Sequence, residues 1–302
     1  MLAPVRAALL AERPDLILRE PSEYATAVVA HQAGLPHAQV GISLSAVEGS
    51  VLGDVADVLD GYGAGTVAAI RRAPYLTAFP SSLDPSPWRD TRRYRLPRLA
   101  VPPLPDWWDG DERPLILLSF GTVFGRLPEA VASYRTAIAA LAGLPVRVLV
   151  TVGRDGLSLG PQPANVRVEP WVAQDRVLGV ARLVVCHGGS GTTYGALAAG
   201  VPVVVCPFFA DQGANAERVA RSGAGRVYVP RSGEGQGIGG LTGADIAPLA
   251  AVVAAALADE HHRAAALRIA SEVTGAPSLD DVLGQLLEEV PGMSGTEGPR
   301  PT

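Results

Sequence analysis

Residues suited to chemistry concentrate in Leu183-Val-Val-Cys-His-Gly-Gly-Ser-Gly-Thr-Thr-Tyr-Gly195. The apolar run predicts a buried strand, and the glycine turn after it predicts entry into a helix. The first N–H groups of a helix have no intrahelical partner and its start carries partial positive charge, so such a turn collects an anion. Gly188, Gly189 and Gly191 let the backbone approach that anion closely. Ser190, Thr192 and Thr193 add hydroxyl donors, and His187 adds an imidazole at the mouth. A diphosphate suits this set. The plainer reading is a strand-to-helix turn with no ligand; His187 and the two threonines weigh against it.

A dinucleotide-binding turn is the competing interpretation, since Gly189-Ser-Gly191 followed by Gly195 approximates its glycine spacing. That motif requires an acid at the end of the next strand to hold a ribose. Here the next strand ends Cys206-Pro207-Phe208, and Asp211 lies beyond it. The turn also comes late, after several strands, so the nicotinamide reading is set aside.

Together, His187–Gly195, Gly200-Val-Pro202, Pro207-Phe-Phe-Ala-Asp211-Gln212 and Asn215-Ala216 resemble the donor-binding signature of nucleotide-sugar glycosyltransferases of the GT-B type, family 1. The resemblance extends upstream through Glu169-Pro-Trp171-Val-Ala-Gln174-Asp-Arg-Val-Leu178 to Leu118-Ser119-Phe-Gly121-Thr122, covering most of Leu115–Gly223. More narrowly, Pro103-Leu-Pro-Asp-Trp107-Trp108 and Thr91-Arg-Arg-Tyr94-Arg look like the actinobacterial enzymes that attach deoxysugars to polyketides and other natural products.

The resemblance implies an α/β fold of two Rossmann-like domains with parallel sheets. It implies a dTDP- or UDP-sugar as donor, a hydrophobic small-molecule acceptor, and neither metal nor organic cofactor. Trp171 would stack on the pyrimidine with the Val172 backbone at the base edge, and Gln174 would reach the ribose. Ser119, Thr122, His187, Gly189, Ser190, Gly191 and Thr192 would face the diphosphate as its charge grows. Asp211 and Gln212 would bond the sugar hydroxyls. Plant members carry a ribose-gripping Glu where this chain has Gly195. Structural alternatives stay open: Trp171 as ordinary core, Gln174 as plain helix entry, and Asp211 as the cap of a helix beginning near Gly213.

In this family a His after the first strand of the amino-terminal domain is the catalytic base, oriented by a carboxylate further on. Pro14-Asp-Leu-Ile-Leu-Arg19-Glu20 resembles the strand end bearing that carboxylate, which assigns Glu20 the orienting role, although Asp is usual there. No residue matches the base itself. His31, in an apparent helix, and His37, before a strand, are read as structural. The expectation is therefore an amino-terminal domain that is incomplete, its first strands preceding this chain. The favoured function is inverting transfer of a sugar to a hydroxyl of a natural-product aglycone. Two others are carried beside it: a truncated, non-catalytic donor-binding module or auxiliary partner of another transferase, and a nucleotide-sugar epimerase of the same fold.

The elements that must hold these residues alternate along the chain. Helical patterns near Pro4–Glu12 and Ser22–Ala33 intersperse with strand-like Asp15–Arg19 and Ala38–Ser43. Asp84–Pro105 turns rich in Pro and Arg and is read as interdomain. Beyond it, strand-like Leu115–Phe120, Val146–Thr151, Asn165–Val168, Leu183–Cys186, Val203–Cys206 and Arg226–Val229 are separated by helices, which predicts a parallel sheet covered on both faces. Helical Ala244–Val273 and Leu279–Val290 close the domain. The resulting division is 1–98 for a partial acceptor domain, 99–112 for a Pro-rich linker, 113–290 for the donor domain and 291–302 for a frayed tail.

The 302 residues exceed what one core usually serves, and 48% hydrophobic with 18% charged residues excludes disorder for most of the chain. A net charge of −5 argues against nucleic acid as a partner. The longest apolar stretch, Ile246–Ala258, falls short of the ~20 residues a membrane span needs, and no signal-like segment opens the chain, which is read as cytosolic. Two cysteines ending apolar runs suit buried strands and make neither a disulfide framework nor a zinc spacing. Oligomeric state is left open between monomer and homodimer. Asp109-Gly-Asp111 reads as a solvated loop, Glu260-His261-His262 as solvent-facing, the arginines between Arg89 and Arg98 as a linker feature, and Gly233–Gly240 as a flexible loop.

Overall fold

A computed structural model describes residues 2–97, 100, 103–154, 156–231 and 238–290. The tail assigned to 291–302, most of the Gly233–Gly240 loop and part of the 99–112 linker lie outside the described residues. The chain divides into two compact units, Met1–Pro97 with Gly275–Thr302, and Arg98–Thr274.

The first unit runs α1 (Leu2–Glu12), β1 (Ile17–Arg19), α2 (Tyr24–Ala33), β2 (His37–Val40), α3 (Ser45–Asp54), α4 (Ala56–Tyr62), α5 (Thr66–Arg72), β3 (Tyr75–Thr77) and β4 (Thr91–Arg93). Its sheet is parallel in the order β1-β2-β3-β4. Gly34, at φ +66°, ends α2 in the left-handed conformation that glycine adopts without strain. Val28, Leu52, Ile70, Tyr75 and Trp88 form a core in which the Tyr75 and Trp88 rings stack 5.2 Å apart.

The second unit runs β5 (Leu115–Ser119), α6 (Gly121–Phe124), α7 (Ala130–Ala142), β6 (Arg147–Thr151), β7 (Val166–Glu169), α8 (Gln174–Leu178), β8 (Ala181–Cys186), α9 (Ser190–Ala198), β9 (Val203–Val205), α10 (Gln212–Ser222), β10 (Gly225–Val227), α11 (Ile246–Ala258) and α12 (Glu260–Gly275). Its six strands are parallel in the order β10-β9-β8-β5-β6-β7. The chain builds outward from β5 through β6 and β7, then returns to the other flank of β5 with β8. That reversal opens a crevice at the carboxyl ends of β5 and β8, the place where doubly wound sheets bind ligands. The two-unit α/β architecture with parallel sheets is as the sequence predicts.

Three boundaries differ. The last helix, α13 (Leu279–Glu289), does not close the second unit: Val282 and Leu286 pack on Ala38, Leu76 and Tyr94 of the first. Arg92 bridges Asp90 and Glu289, and the Arg95 N–H donates to the Pro277 carbonyl at 2.8 Å, so the returning segment is fastened to β4. The Asp84–Pro105 stretch is more than a linker, because Thr91–Arg93 pairs with β3 and Asp84 is fully buried, accepting from the backbone and hydroxyl of Ser45. The helical 244–273 pattern breaks at Asp259, whose backbone is extended. His262 is also not solvent-facing; its ring packs with Nδ1 2.8 Å from the Gly223 carbonyl. Among the described residues no helix is long and apolar enough to cross a membrane.

Candidate functional site

Ser119 and Cys186 sit opposite each other at the ends of β5 and β8, so the turns that follow leave the sheet side by side. His187 is held between them. Gly121 has φ +76°, and a Cβ there would lie 2.8 Å from the imidazole Cε1; a Cβ at Gly189 would collide with the same ring. Gly188 has φ +89° and leaves no room either, with Val205 Cγ1 2.7 Å from where its Cβ would be. Glycine at these positions lets two backbones close on one imidazole. Burial lowers the His187 pKa to about 4, against smaller opposing influences of the Asp211 carboxylate and the Ser119 backbone. The ring is therefore neutral at pH 7, with one N–H to donate.

The N-cap residue of α9 is Gly189, which has no side chain to bond the helix start, and the first turn of α9 stands at the crevice. Gly191 and Thr122 are exposed there, with Ser119 and Thr192 half-buried. The Ser119 hydroxyl accepts from Thr151 at 2.9 Å, which leaves its own proton to point at a ligand. Ser190 is differently committed: its hydroxyl donates to Asp211 Oδ2 at 2.9 Å and accepts from Asn215 Nδ2 at 3.0 Å. Asn215 also donates to Asp211 and to the Gly188 carbonyl. Asp211 stands at the N-cap position of α10 but makes no side-chain capping bond, so its carboxylate faces the glycine turn and not its own helix.

Gln212 is 3% exposed, and its Oε1 accepts from the Phe208 and Phe209 N–H groups at 2.8 and 3.2 Å. Its carbonyl thus shapes the turn after β9, leaving the amide nitrogen as the part available to a ligand.

Trp171 lies just beyond β7 and is 55% exposed, which excludes ordinary core as its role. The Arg154 guanidinium sits over its ring, 5.0 Å from the centroid. Val172 is half-buried beside it. Gln174 begins α8, and its side chain lies against α9 so closely that a Cβ at Gly195 would strike Nε2. The missing side chain at position 195 is the space that the Gln174 amide fills.

Several supports carry no signal in residue spacing. Tyr134, fully buried on α7, accepts from the Phe120 N–H at 3.0 Å and donates to the Thr151 carbonyl at 2.8 Å, tying the ends of β5 and β6 together. Thr151 and Arg154 contribute likewise through contacts between segments distant in sequence.

Glu20 belongs to the first unit, directly after β1, where its carboxylate accepts from the Ser22 N–H at 2.9 Å. Arg19, 4% exposed, donates to the Pro21 carbonyl and to Gln39 Oε1 at 2.9 and 3.0 Å, so a buried guanidinium organises the loop that bears Glu20. His31 Nε2 meets the Ala64 carbonyl at 3.0 Å, and His37, at the start of β2, has its pKa lowered to about 4 by burial; both have structural surroundings.

Residues 135–289 match the family described as erythromycin biosynthesis protein CIII-like, C-terminal domain. L-demethylnoviosyl transferase of Streptomyces niveus is 31% identical over 284 residues, 92% of this chain and 72% of that protein. Among solved structures, the glycotransferase of kitacinnamycin superposes with a TM-score of 0.76 at 25% identity, over 96% of this chain and 80% of its own. The glycosyltransferase VinC in complex with dTDP gives 0.71 at 24% identity, over 95% and 75%.

Proposed function

The chain belongs to the erythromycin biosynthesis protein CIII-like glycosyltransferases, with the GT-B fold, and from that premise we propose that it moves a sugar or deoxysugar from a dTDP- or UDP-sugar to a hydroxyl of a natural-product aglycone. The observation that carries this reading is the crevice between β5 and β8. A neutral imidazole, the first turn of α9 and the Ser119 and Thr122 hydroxyls converge there, with an exposed indole on the same sheet edge. The dTDP bound to VinC supports a thymidine or uridine nucleotide as donor.

In this reading the bond from the anomeric carbon to the diphosphate breaks as the acceptor oxygen attacks from the opposite face, and a single displacement inverts the configuration. Charge grows on the leaving diphosphate, where His187, the Ser119 hydroxyl and the α9 N–H groups stabilise it. Trp171 stacks on the pyrimidine, Gln174 reaches the ribose, and Asp211 with the Gln212 amide nitrogen bonds the sugar hydroxyls. The acceptor hydroxyl needs a base to take its proton, help typically worth 10²–10⁴-fold; in this reading that base is a histidine which no residue of this sequence matches, and Glu20 would orient it. No metal or organic cofactor takes part.

Isothermal titration tests the donor half. Both dTDP and UDP are expected to bind, and His187→Ala to weaken that binding about tenfold, the scale of one hydrogen bond to a charged group. Unchanged affinity in the variant overturns the role of His187; silence of the native chain toward both nucleotides overturns the donor reading.

A further inference from the structure

The diphosphate reading leaves charge unbalanced. Ser119, Thr122, Ser190 and Thr192 are uncharged, His187 is neutral at pH 7, and the nearby Asp211 is acidic. A helix start offers roughly half an elementary charge, well short of a diphosphate's. None of the described residues assigned so far to the diphosphate is cationic.

Arg154 stands where a cation is needed. It follows Gly153 at the carboxyl end of β6, the neighbour of β5 in the sheet. Gly153 has φ +93°, and a Cβ built on it would lie 3.9 Å from Thr122 Cα. The backbone leading to Arg154 therefore passes along α6, on the phosphate side, while its guanidinium lies 5.0 Å from the Trp171 ring centroid, on the base side. Arginine suits both ends, since its planar cation stacks on an aromatic face and its N–H fork matches phosphate oxygens.

We propose that Arg154 is a donor-binding residue: held against one face of Trp171, its guanidinium supplies the positive charge for the nucleotide's diphosphate, and the other face of the indole takes the pyrimidine. This rests on the donor reading above and adds to it a residue that the glycine-turn signature does not contain.

The test is titration of the full chain and of Arg154→Ala, Arg154→Lys and Trp171→Ala with dTDP and with thymidine, at low and high sodium chloride. Arg154→Ala is expected to lose about tenfold in dTDP affinity, to flatten its salt dependence, and to hold thymidine within about twofold of the native chain. Arg154→Lys recovers part of the loss, and Trp171→Ala weakens both ligands. Arg154 is exposed, so a thermal melt unchanged from the native chain verifies that the variant is folded. Equal dTDP affinity in Arg154→Ala and the native chain overturns the proposal while leaving the donor reading intact. So does an equal fractional loss for dTDP and thymidine, which would make Arg154 a prop for the indole. A native chain that binds neither dTDP nor UDP overturns both.

Discussion

His187 shows how surroundings fix the chemistry of one side chain. An imidazole in water is near half-protonation at neutral pH, but here burial between the β5 and β8 turns lowers its pKa to about 4. His37 is lowered to about 4 by burial too. The consequence for stability has a definite sign. Both rings are neutral in the folded chain, whereas the unfolded chain takes up protons below its ordinary histidine value near 6.5. The stabilisation is full above about 6.5 and is lost as pH falls toward about 4. Urea denaturation at pH 7 and at pH 4.5 is expected to show a loss on the order of 2 kcal/mol from each ring, His37 in the first unit and His187 in the second. His187→Asn should reduce that pH dependence; a dependence identical to the native chain's would show that the ring is not held neutral.

The strand ends depend on a few cross-links. Tyr134 reaches from α7 to bond the Phe120 N–H and the Thr151 carbonyl, and Thr151 in turn orients the Ser119 hydroxyl. Tyr134→Phe leaves a buried N–H without its acceptor, which costs about 1–3 kcal/mol. The same change frees the ends of β5 and β6, so the variant is expected to bind dTDP more weakly as well as to unfold at lower urea. A stability loss with unaltered nucleotide affinity would confine Tyr134 to packing. Beside it, Phe120, Phe124 and Phe208 interlock with centroids 4.4–5.9 Å apart and form an apolar floor below the crevice.

Among the described residues each unit has its own buried clusters, one around Ile116, Val148 and Val185 in the second unit and another around Val28, Ile70 and Tyr75 in the first. The proposed nucleotide site lies wholly in the second. Calorimetry is expected to resolve two transitions, and dTDP at a hundredfold excess over Kd to stabilise the second unit alone by about 2.7 kcal/mol. A shift of both transitions together would mean that the units unfold as one.

Sequence periodicity determined much of this: strands β5 to β10, the helices between them and the anion-collecting turn all follow from apolar runs, glycines and caps that act locally. The order of those strands, and hence the crevice between β5 and β8, is decided only in the assembled sheet. What periodicity leaves undecided is side-chain direction and long-range return. The short strands Tyr75–Thr77 and Thr91–Arg93 have too few residues for a period to register, and α13 reads as one more amphipathic helix with no mark of which sheet it covers. Likewise Asp211 could have capped its own helix and Trp171 could have entered a core. Packing decided both, because the partners that draw Asp211 to Ser190 and Arg154 to Trp171 lie on strands and turns that meet only once the sheet is assembled.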